Sequence, residues 1–330
     1  MAHKIAVIGA TNQTGREVLT VIDERNIPVE KLYAVDINSQ FGQEVSYGED
    51  GIITVEKLES FDFSKVDVVI NASGSAKAQD IAEKSKSAGA RLIDISSAYR
   101  MDPDTPLIVP DVNGSSIKNE TIIASPNCMV TGITAALKPL HDIAGLNRIH
   151  AVTYQSVSGV GKDAMDELFN QTRAVFVADP IEPNLFPKQI AFNVIPQIGK
   201  FMDDRQTSEE FAIKAETKKI LGTKIKVTAT AVRVPVFVGH SAALHLDFDK
   251  EISALDALEA LRQTRGITVI DLENEELEYI TPQEVQGEDD VYVSRIREDS
   301  GSENGLCLWV SLDNIHRGLA VNAVQILELL

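Results

Sequence analysis

A lone cysteine closes the run Ser125-Pro126-Asn127-Cys128, just ahead of the apolar stretch "MVTGITAALKPLHDIAG" (129–145). That stretch reads as a helix, so Cys128 stands at a helix N-terminus, where the helix dipole lowers a thiol pKa and stabilises the thiolate. A thiolate in that place is a nucleophile for a carbonyl carbon, and beside a nicotinamide it would do aldehyde chemistry through a thiohemiacetal and a thioester. The competing reading is a buried structural cysteine behaving as a small hydrophobe. Arg233 and His240 are seven apart, on the two arms of the bend "RVPVFVGHS", so both can reach one cleft. An imidazole moves protons near neutral pH, and a guanidinium holds a carboxylate as a two-pronged fork. Glu216 and Lys219 lie three apart in the helical run "EEFAIKAETKKIL" (209–221), hence on one face. Taken singly, such a pair reads equally well as a solvated surface pair, and a turn histidine as merely exposed.

The elements that must position these groups begin with "HKIAVI" (3–8), a short apolar strand followed by "GATNQTG" and the helical "REVLTVIDERN". Further strands are "KLYAVDI" (31–37), "VDVVINASG" (66–74) and "ARLIDISS" (90–97), and Gly89 suits the C-cap of the helix before the last of them. Strands alternating with helices predict βαβ units and a mostly parallel, Rossmann-type α/β sheet. Gly9 and Gly15, six apart between a strand and a helix, fit a loop that lets a diphosphate approach a helix N-terminus. A plain βα turn whose glycines only permit close packing remains the alternative. The expected dinucleotide contacts are Gly9, Thr11, Asn12, Gln13, Thr14 and Gly15 in the loop, Asp36 and Asn38 after the second strand, and Ser73 and Gly74 after the third. Asn12 stands where a middle glycine is usual, and it enters left-handed backbone more readily than other non-glycine residues. A carboxylate at Asp36 suits the ribose hydroxyls of NAD and repels a 2′-phosphate, and no arginine follows in "DINSQFGQ".

The 330 residues are 44% hydrophobic and 24% charged, enough for two domains of ordinary size. A formal charge of -18 repels polyanions, which argues against nucleic acid and acidic membrane surfaces as partners. No stretch approaches a membrane span or a signal peptide. Two cysteines, Cys128 and Cys307, make neither a disulfide framework nor a metal-ligand spacing. These features predict a soluble cytoplasmic protein without a protein-ligated metal.

The ordered motifs "GATNQTGREVL", "SSAYRMD", "LIVPDVN", "SPNC", "YQSVSG", "FNVIPQI", "ETKKIL", "RVPVFVGHS" and "DNIHRGLAVNAVQI" span almost the whole chain and resemble the aspartate-β-semialdehyde dehydrogenase family. "SPNC" with "RVPVFVGHS" is the specific part; the glycine loop is not. The resemblance implies NADP-dependent reductive dephosphorylation of L-4-aspartyl phosphate to aspartate semialdehyde. It implies Cys128 as nucleophile, His240 as general acid/base and Gln155 orienting the thioacyl intermediate. It further implies Arg233 on the substrate carboxylate, Glu216 on its ammonium, and Arg100 and Lys219 on the phosphate with Asn127 nearby. Ser158 and Gly159 would touch the nicotinamide end of the cofactor, and Asn322 would approach it from the C-terminal helix. Departures are Met129 and Val130 in place of small hydroxyl residues, Asn12 in place of glycine, and Asp36-Ile37 where the family tends to place arginine and serine. With no cation for the 2′-phosphate there, appreciable use of NAD beside NADP is expected.

The expected layout is a dinucleotide-binding domain over 1–127, completed by the C-terminal helix 314–330, and an α+β catalytic and dimerisation domain over 128–313. By the resemblance, the second sheet packs on its copy in a homodimer or dimer of dimers. The charged run "ENEELEYITPQEVQGEDD" (273–290) reads as solvated. The alternatives are N-acetyl-γ-glutamyl-phosphate reductase, a glyceraldehyde-phosphate-type dehydrogenase, and a non-catalytic nucleotide-binding paralogue. The first binds no ammonium, which Glu216 disfavours; the last would be expected to have lost some of Arg100, Gln155, Glu216, Lys219, Arg233 and His240.

Overall fold

The computed structural model describes residues 2–37, 40–49, 51–273 and 276–330. The chain divides into two compact units, Met1–Asn127 with Gly318–Leu330, and Cys128–Arg317. Among the described residues no helix is long and apolar enough to cross a membrane.

In the first unit, β1 (His3–Ile8), α1 (Gln13–Glu24), β2 (Val29–Asp36), β3 (Glu56–Lys57), β4 (Val68–Asn71), α2 (Ala78–Ala88), β5 (Arg91–Asp94) and β6 (Ile122–Ala124) follow in order. The six strands form one parallel sheet in the order β3-β2-β1-β4-β5-β6. The chain therefore reverses its direction of travel across the sheet between β1 and β4, and open α/β sheets bind ligands at such a switch point. The strands are short and apolar because both faces are covered. Ile5 and Val7 point to a core shared with Val18, Leu19 and Ile22 of α1 and with Val321, Val324 and Leu327 of the C-terminal segment. Ala6 and Ile8 point the other way, into a core with Ile81 of α2 and with Phe61 and Phe63. Gly89 ends α2 in left-handed backbone at φ 78.

The second unit opens with α3 (Cys128–Ala144), β7 (Leu146–Gln155), α4 (Lys162–Val177) and α5 (Ser208–Leu221). After these come β8 (Lys226–Arg233), β9 (His240–Phe248), α6 (Ala254–Arg262), β10 (Ile267–Val269), β11 (Val291–Glu298) and β12 (Gly305–Leu312). Its six-stranded mixed sheet runs β8-β7-β9-β12-β11-β10. The arms of the "RVPVFVGHS" bend are not a hairpin. β7 lies between them, parallel to β8 and antiparallel to β9, with Gln155 opposite Arg233 and Tyr154 opposite Ser241. Helices α3, α5 and α6 pack on the strands. Side chains alternate along β9: Ala242, Leu244 and Leu246 are buried, whereas His245 is exposed. On the more open face Tyr154 and Trp309 stack with ring centroids 5.5 Å apart. The run 273–290 is not wholly solvated, since Ile280 and Val285 are buried and Trp309 Nε1 donates to the Ile280 carbonyl at 3.0 Å.

Candidate active site

In the first unit the glycine loop is shaped by two contacts that leave no room for a side chain. Gly9 has φ +84, and a Cβ there would lie 2.7 Å from the Ser73 amide nitrogen. At Gly15 it would lie 2.1 Å from the Gly9 carbonyl oxygen. Asn12 does not use left-handed backbone as expected: at φ -79 it is extended and serves as the N-cap of α1. Its Oδ1 accepts from Gly15 N–H at 2.9 Å and its Nδ2 donates to the Ala72 carbonyl at 2.9 Å. A glycine would leave both unmade, so asparagine replaces flexibility with two hydrogen bonds. The amides of Gln13 and Thr14 stay at the helix N-terminus, where anions are favoured. Buried Gln13 Oε1 lacks a hydrogen-bond partner among the described residues. A dinucleotide fits this cradle.

Two expected cofactor contacts are spent on the protein itself. Asp36 Oδ2 accepts from Thr11 N–H at 3.0 Å and Thr11 Oγ1 at 2.6 Å, and Oδ1 accepts from Ile37 N–H at 2.8 Å. The carboxylate thus anchors the loop to the end of β2 and keeps little capacity for a ribose. Asn322, fully buried, donates through Nδ2 to the Ile108 carbonyl and Ser125 Oγ, holding the Ser125-Pro126 turn with its amide nitrogen. Ser73 donates to Asn71 Oδ1, Gly74 is exposed at φ +87, and Asn38 lies outside the described residues. Arg100 also belongs to this unit; Nε donates to the Ser125 carbonyl at 3.0 Å and Nη2 to the Ile95 carbonyl at 2.8 Å. Asn127 ends the unit at 9% exposure.

The second unit gathers the remaining groups. Cys128 is the first residue of α3 and the partly exposed position in an otherwise buried run from Ile123 to Val130. Gln155 and Arg233 end the parallel strands β7 and β8, so the pairing brings them side by side. His240 begins β9 on the other side of β7; it is in the strand, not in the turn the sequence suggested. All three side chains are at most 5% exposed. Gly159 marks where they meet: a Cβ there would lie 3.1 Å from Arg233 Nη1 and 3.2 Å from His240 Nε2. Arg233 also lines an open cleft with Val160, Phe186 and Gly199.

Hydrogen bonds set the protonation pattern. His240 Nδ1 is 3.1 Å from Ser156 N–H, which can only donate, so Nδ1 accepts and the neutral ring carries its proton on Nε2. Burial, then the positive charge of Arg233, holds the imidazole well below its ordinary pKa. Burial also lowers the pKa of Arg233, while negative charge at Glu209 and at Cys128 works against that shift. Gln155 Nε2 donates to Glu209 Oε1 at 2.8 Å, and Arg233 Nη1 to the Ser156 carbonyl at 2.5 Å. Glu216 on α5 is 2% exposed, which excludes a solvated surface pair; Lys219 is half-buried one turn on. The same helix packs on α3 and β8, the elements that carry Cys128 and Arg233.

Three residues escaped the sequence reasoning. Glu209 is one of two acids in the first turn of α5, and the fold aims it at Gln155. Ser156, inside "YQSVSG", orients His240. Asn314, inside "DNIHRG", accepts from Ser158 Oγ at 3.1 Å and Gly239 N–H at 3.1 Å, tying the Ser-Gly turn to the start of β9. Ser158, expected at the nicotinamide, is thus 4% exposed and faces Asn314.

A switch-point glycine loop in one unit, and in the other a thiol at a helix N-terminus beside a buried guanidinium and imidazole, define a thiol-dependent dinucleotide dehydrogenase. Two family models match the chain: "Semialdehyde dehydrogenase, NAD binding domain" over residues 4–120 and "Semialdehyde dehydrogenase, dimerisation domain" over 137–317. The aspartate-semialdehyde dehydrogenase of Rickettsia conorii is 45% identical over 99% of this chain and 97% of its own length. That of Aquifex aeolicus is 41% identical over 100% and 98%. The crystal structure of aspartate semialdehyde dehydrogenase II from Vibrio cholerae superposes with a TM-score of 0.95 at 39% identity, covering 100% of this chain and 98% of that one. A further structure of the Vibrio enzyme is complexed with ASA. The chain belongs to the semialdehyde dehydrogenase family, among its aspartate-semialdehyde dehydrogenases.

Proposed function

We propose that the protein catalyses the NAD(P)-dependent reductive dephosphorylation of L-4-aspartyl phosphate to L-aspartate 4-semialdehyde, and the reverse oxidation with phosphate. The reading is carried by one observation: the buried side chains of Arg233 and His240 meet over Gly159 in the unit that α3 opens with Cys128 at its first position. Cys128, as thiolate, attacks the acyl carbon, the carbon–oxygen bond to phosphate breaks, and a thioester remains on sulfur. The bound dinucleotide supplies the hydride. His240, with its proton on Nε2, donates a hydrogen bond to the oxyanion that develops on the acyl oxygen. When the carbon–sulfur bond breaks, the aldehyde leaves and sulfur returns as thiolate. Gln155 holds the acyl group in place, itself held by Glu209. Arg233 takes the substrate carboxylate as a two-pronged partner and Glu216 its ammonium. Arg100, Lys219 and Asn127 keep the phosphate roles that their motifs imply. An acyl phosphate with an amino-acid head requires this set of cations, anion and nucleophile.

Asp36 and the missing arginine favour use of NAD beside NADP. The protein acts in the cytoplasm as a homodimer or dimer of dimers, the open face of its mixed sheet packing on a second copy. Tyr154 and Trp309 supply rigid aromatic surface for that contact. The deciding assay is phosphate-dependent reduction of NADP or NAD by aspartate semialdehyde, with Cys128→Ser as control. Activity that survives in the variant, or a preference for N-acetyl-γ-glutamyl phosphate in the reductive direction, overturns the assignment.

A further inference from the structure

We propose that His245, Asp299 and Cys307 form a binding site for one zinc-type divalent cation, on the face of the mixed sheet that the proposed contact between copies uses and outside the catalytic machinery. Strand pairing makes the site: His245 of β9 lies directly opposite Cys307 of β12, and Asp299 follows the end of β11. His245 Nδ1 is 3.2 Å from Asp299 Oδ2 and 3.3 Å from Cys307 Sγ, and the three donor atoms lie within 4.8 Å of one another. Zinc bonds of about 2.3 Å to sulfur and about 2.1 Å to nitrogen and oxygen put neighbouring ligands of a tetrahedron about 3.4–3.6 Å apart. The two measured edges thus need to open by only a few tenths of an ångström.

A catalytic thiol–imidazole–carboxylate relay is excluded by the same geometry. A relay needs the acid on one ring nitrogen and the thiol on the other, whereas here both approach Nδ1. Three donors of different softness converging on one point are instead what zinc selects. The carboxylate is already oriented: Asp299 Oδ1 accepts from Gly301 N–H at 2.9 Å, which aims Oδ2 at the imidazole. The Asp299 amide donates to the Gly305 carbonyl at 2.8 Å and fixes the turn. Support of this kind around the ligands tunes metal affinity. His150 is the candidate fourth ligand. It pairs with His245 across β7 and β9, with ring centroids 6.1 Å apart. Binding replaces the S–H proton by the metal, so one proton goes to solvent for each cation taken up. Spacing could not reveal the site, because positions 245, 299 and 307 resemble no ligand motif.

The test uses full-length Cys128→Ser protein, so that the active-site thiol cannot contribute, reduced and stripped of metal with a chelator. Titration with Co²⁺ is expected to give one thiolate-to-cobalt charge-transfer absorption per chain, which added Zn²⁺ abolishes by displacement. A further Cys307→Ser change should remove that absorption. Asp299→Asn, which keeps the Gly301 contact, and His245→Ala should each weaken Zn²⁺ binding by at least about tenfold. Circular dichroism confirms that each variant is folded, and a misfolded Cys307→Ser protein leaves the decision to the other two. No absorption in the Cys128→Ser protein overturns the proposal. So does absorption that survives loss of Cys307, or Zn²⁺ affinity unchanged within twofold in both Asp299→Asn and His245→Ala.

Discussion

Gly159→Ala separates catalytic geometry from stability. The added methyl would lie 3.1 Å from Arg233 Nη1 and 3.2 Å from His240 Nε2, against about 3.5 Å for an unstrained contact. One or both groups must therefore retreat by about 0.3–0.4 Å. Arg233 cannot retreat freely, because Nη1 donates to the Ser156 carbonyl, and His240 is fixed through Nδ1 by Ser156 N–H. A misplacement of about 1 Å costs about a hundredfold in rate, or about 2.7 kcal/mol in barrier. Scaled linearly, this displacement gives a drop of about four- to sixfold in kcat/KM. Gly159 is exposed and its backbone φ is not positive, so an alanine backbone fits and stability should change by less than about 0.5 kcal/mol. Gly161→Ala supplies the opposite case: φ is +108 with nothing within 4 Å of the new Cβ. It should cost about 1–3 kcal/mol of stability through strain, with no steric contact to the two side chains. Steady-state kinetics and urea melts on both variants decide the matter. Wild-type kcat/KM in Gly159→Ala, or a loss explained by unfolding, would refute the assigned site geometry.

Glu209→Ala removes the shorter of the two hydrogen bonds that Gln155 Nε2 donates, leaving Thr153 Oγ1 at 3.3 Å, and kcat/KM should fall about tenfold, with Glu209→Gln restoring most of it; equal losses in the two variants would show that the Gln155 contact is unimportant. His240 also makes stability pH-dependent. Its folded pKa is depressed, so below about pH 6.5 the unfolded chain takes up a proton that the folded ring refuses, and stability falls as pH drops toward the folded value. His240→Asn should therefore show a shallower acid loss, by up to about 1.4 kcal/mol per pH unit in urea melts, and parallel curves would contradict the burial argument. Turnover compared with NAD and NADP should differ by less than about a thousandfold; a larger preference for NADP would mean that Asp36 does not oppose the 2′-phosphate.

Local chemistry determined much of this protein before any coordinates. Apolar runs broken by glycine and a helical period after Cys128 sufficed for the βαβ unit and for a thiol at a helix start, because both rest on neighbouring residues. Residue types in their order, with the resemblance they carry, were enough to propose Arg233, His240 and Glu216, though not to say how they are held. Tertiary structure alone decided that β7 separates the arms of the "RVPVFVGHS" bend, so that Gln155 lies directly beside Arg233. It alone aimed Glu209 at Gln155, spent the Asp36 carboxylate on Thr11, and set Asn12 in extended backbone as a cap. It also drew Cys307 against His245 from 62 positions away. The physical reason is common to all of these. A hydrogen bond or a steric limit acts over about 3 Å of space, and strand pairing, not spacing along the chain, sets which side chains come that close.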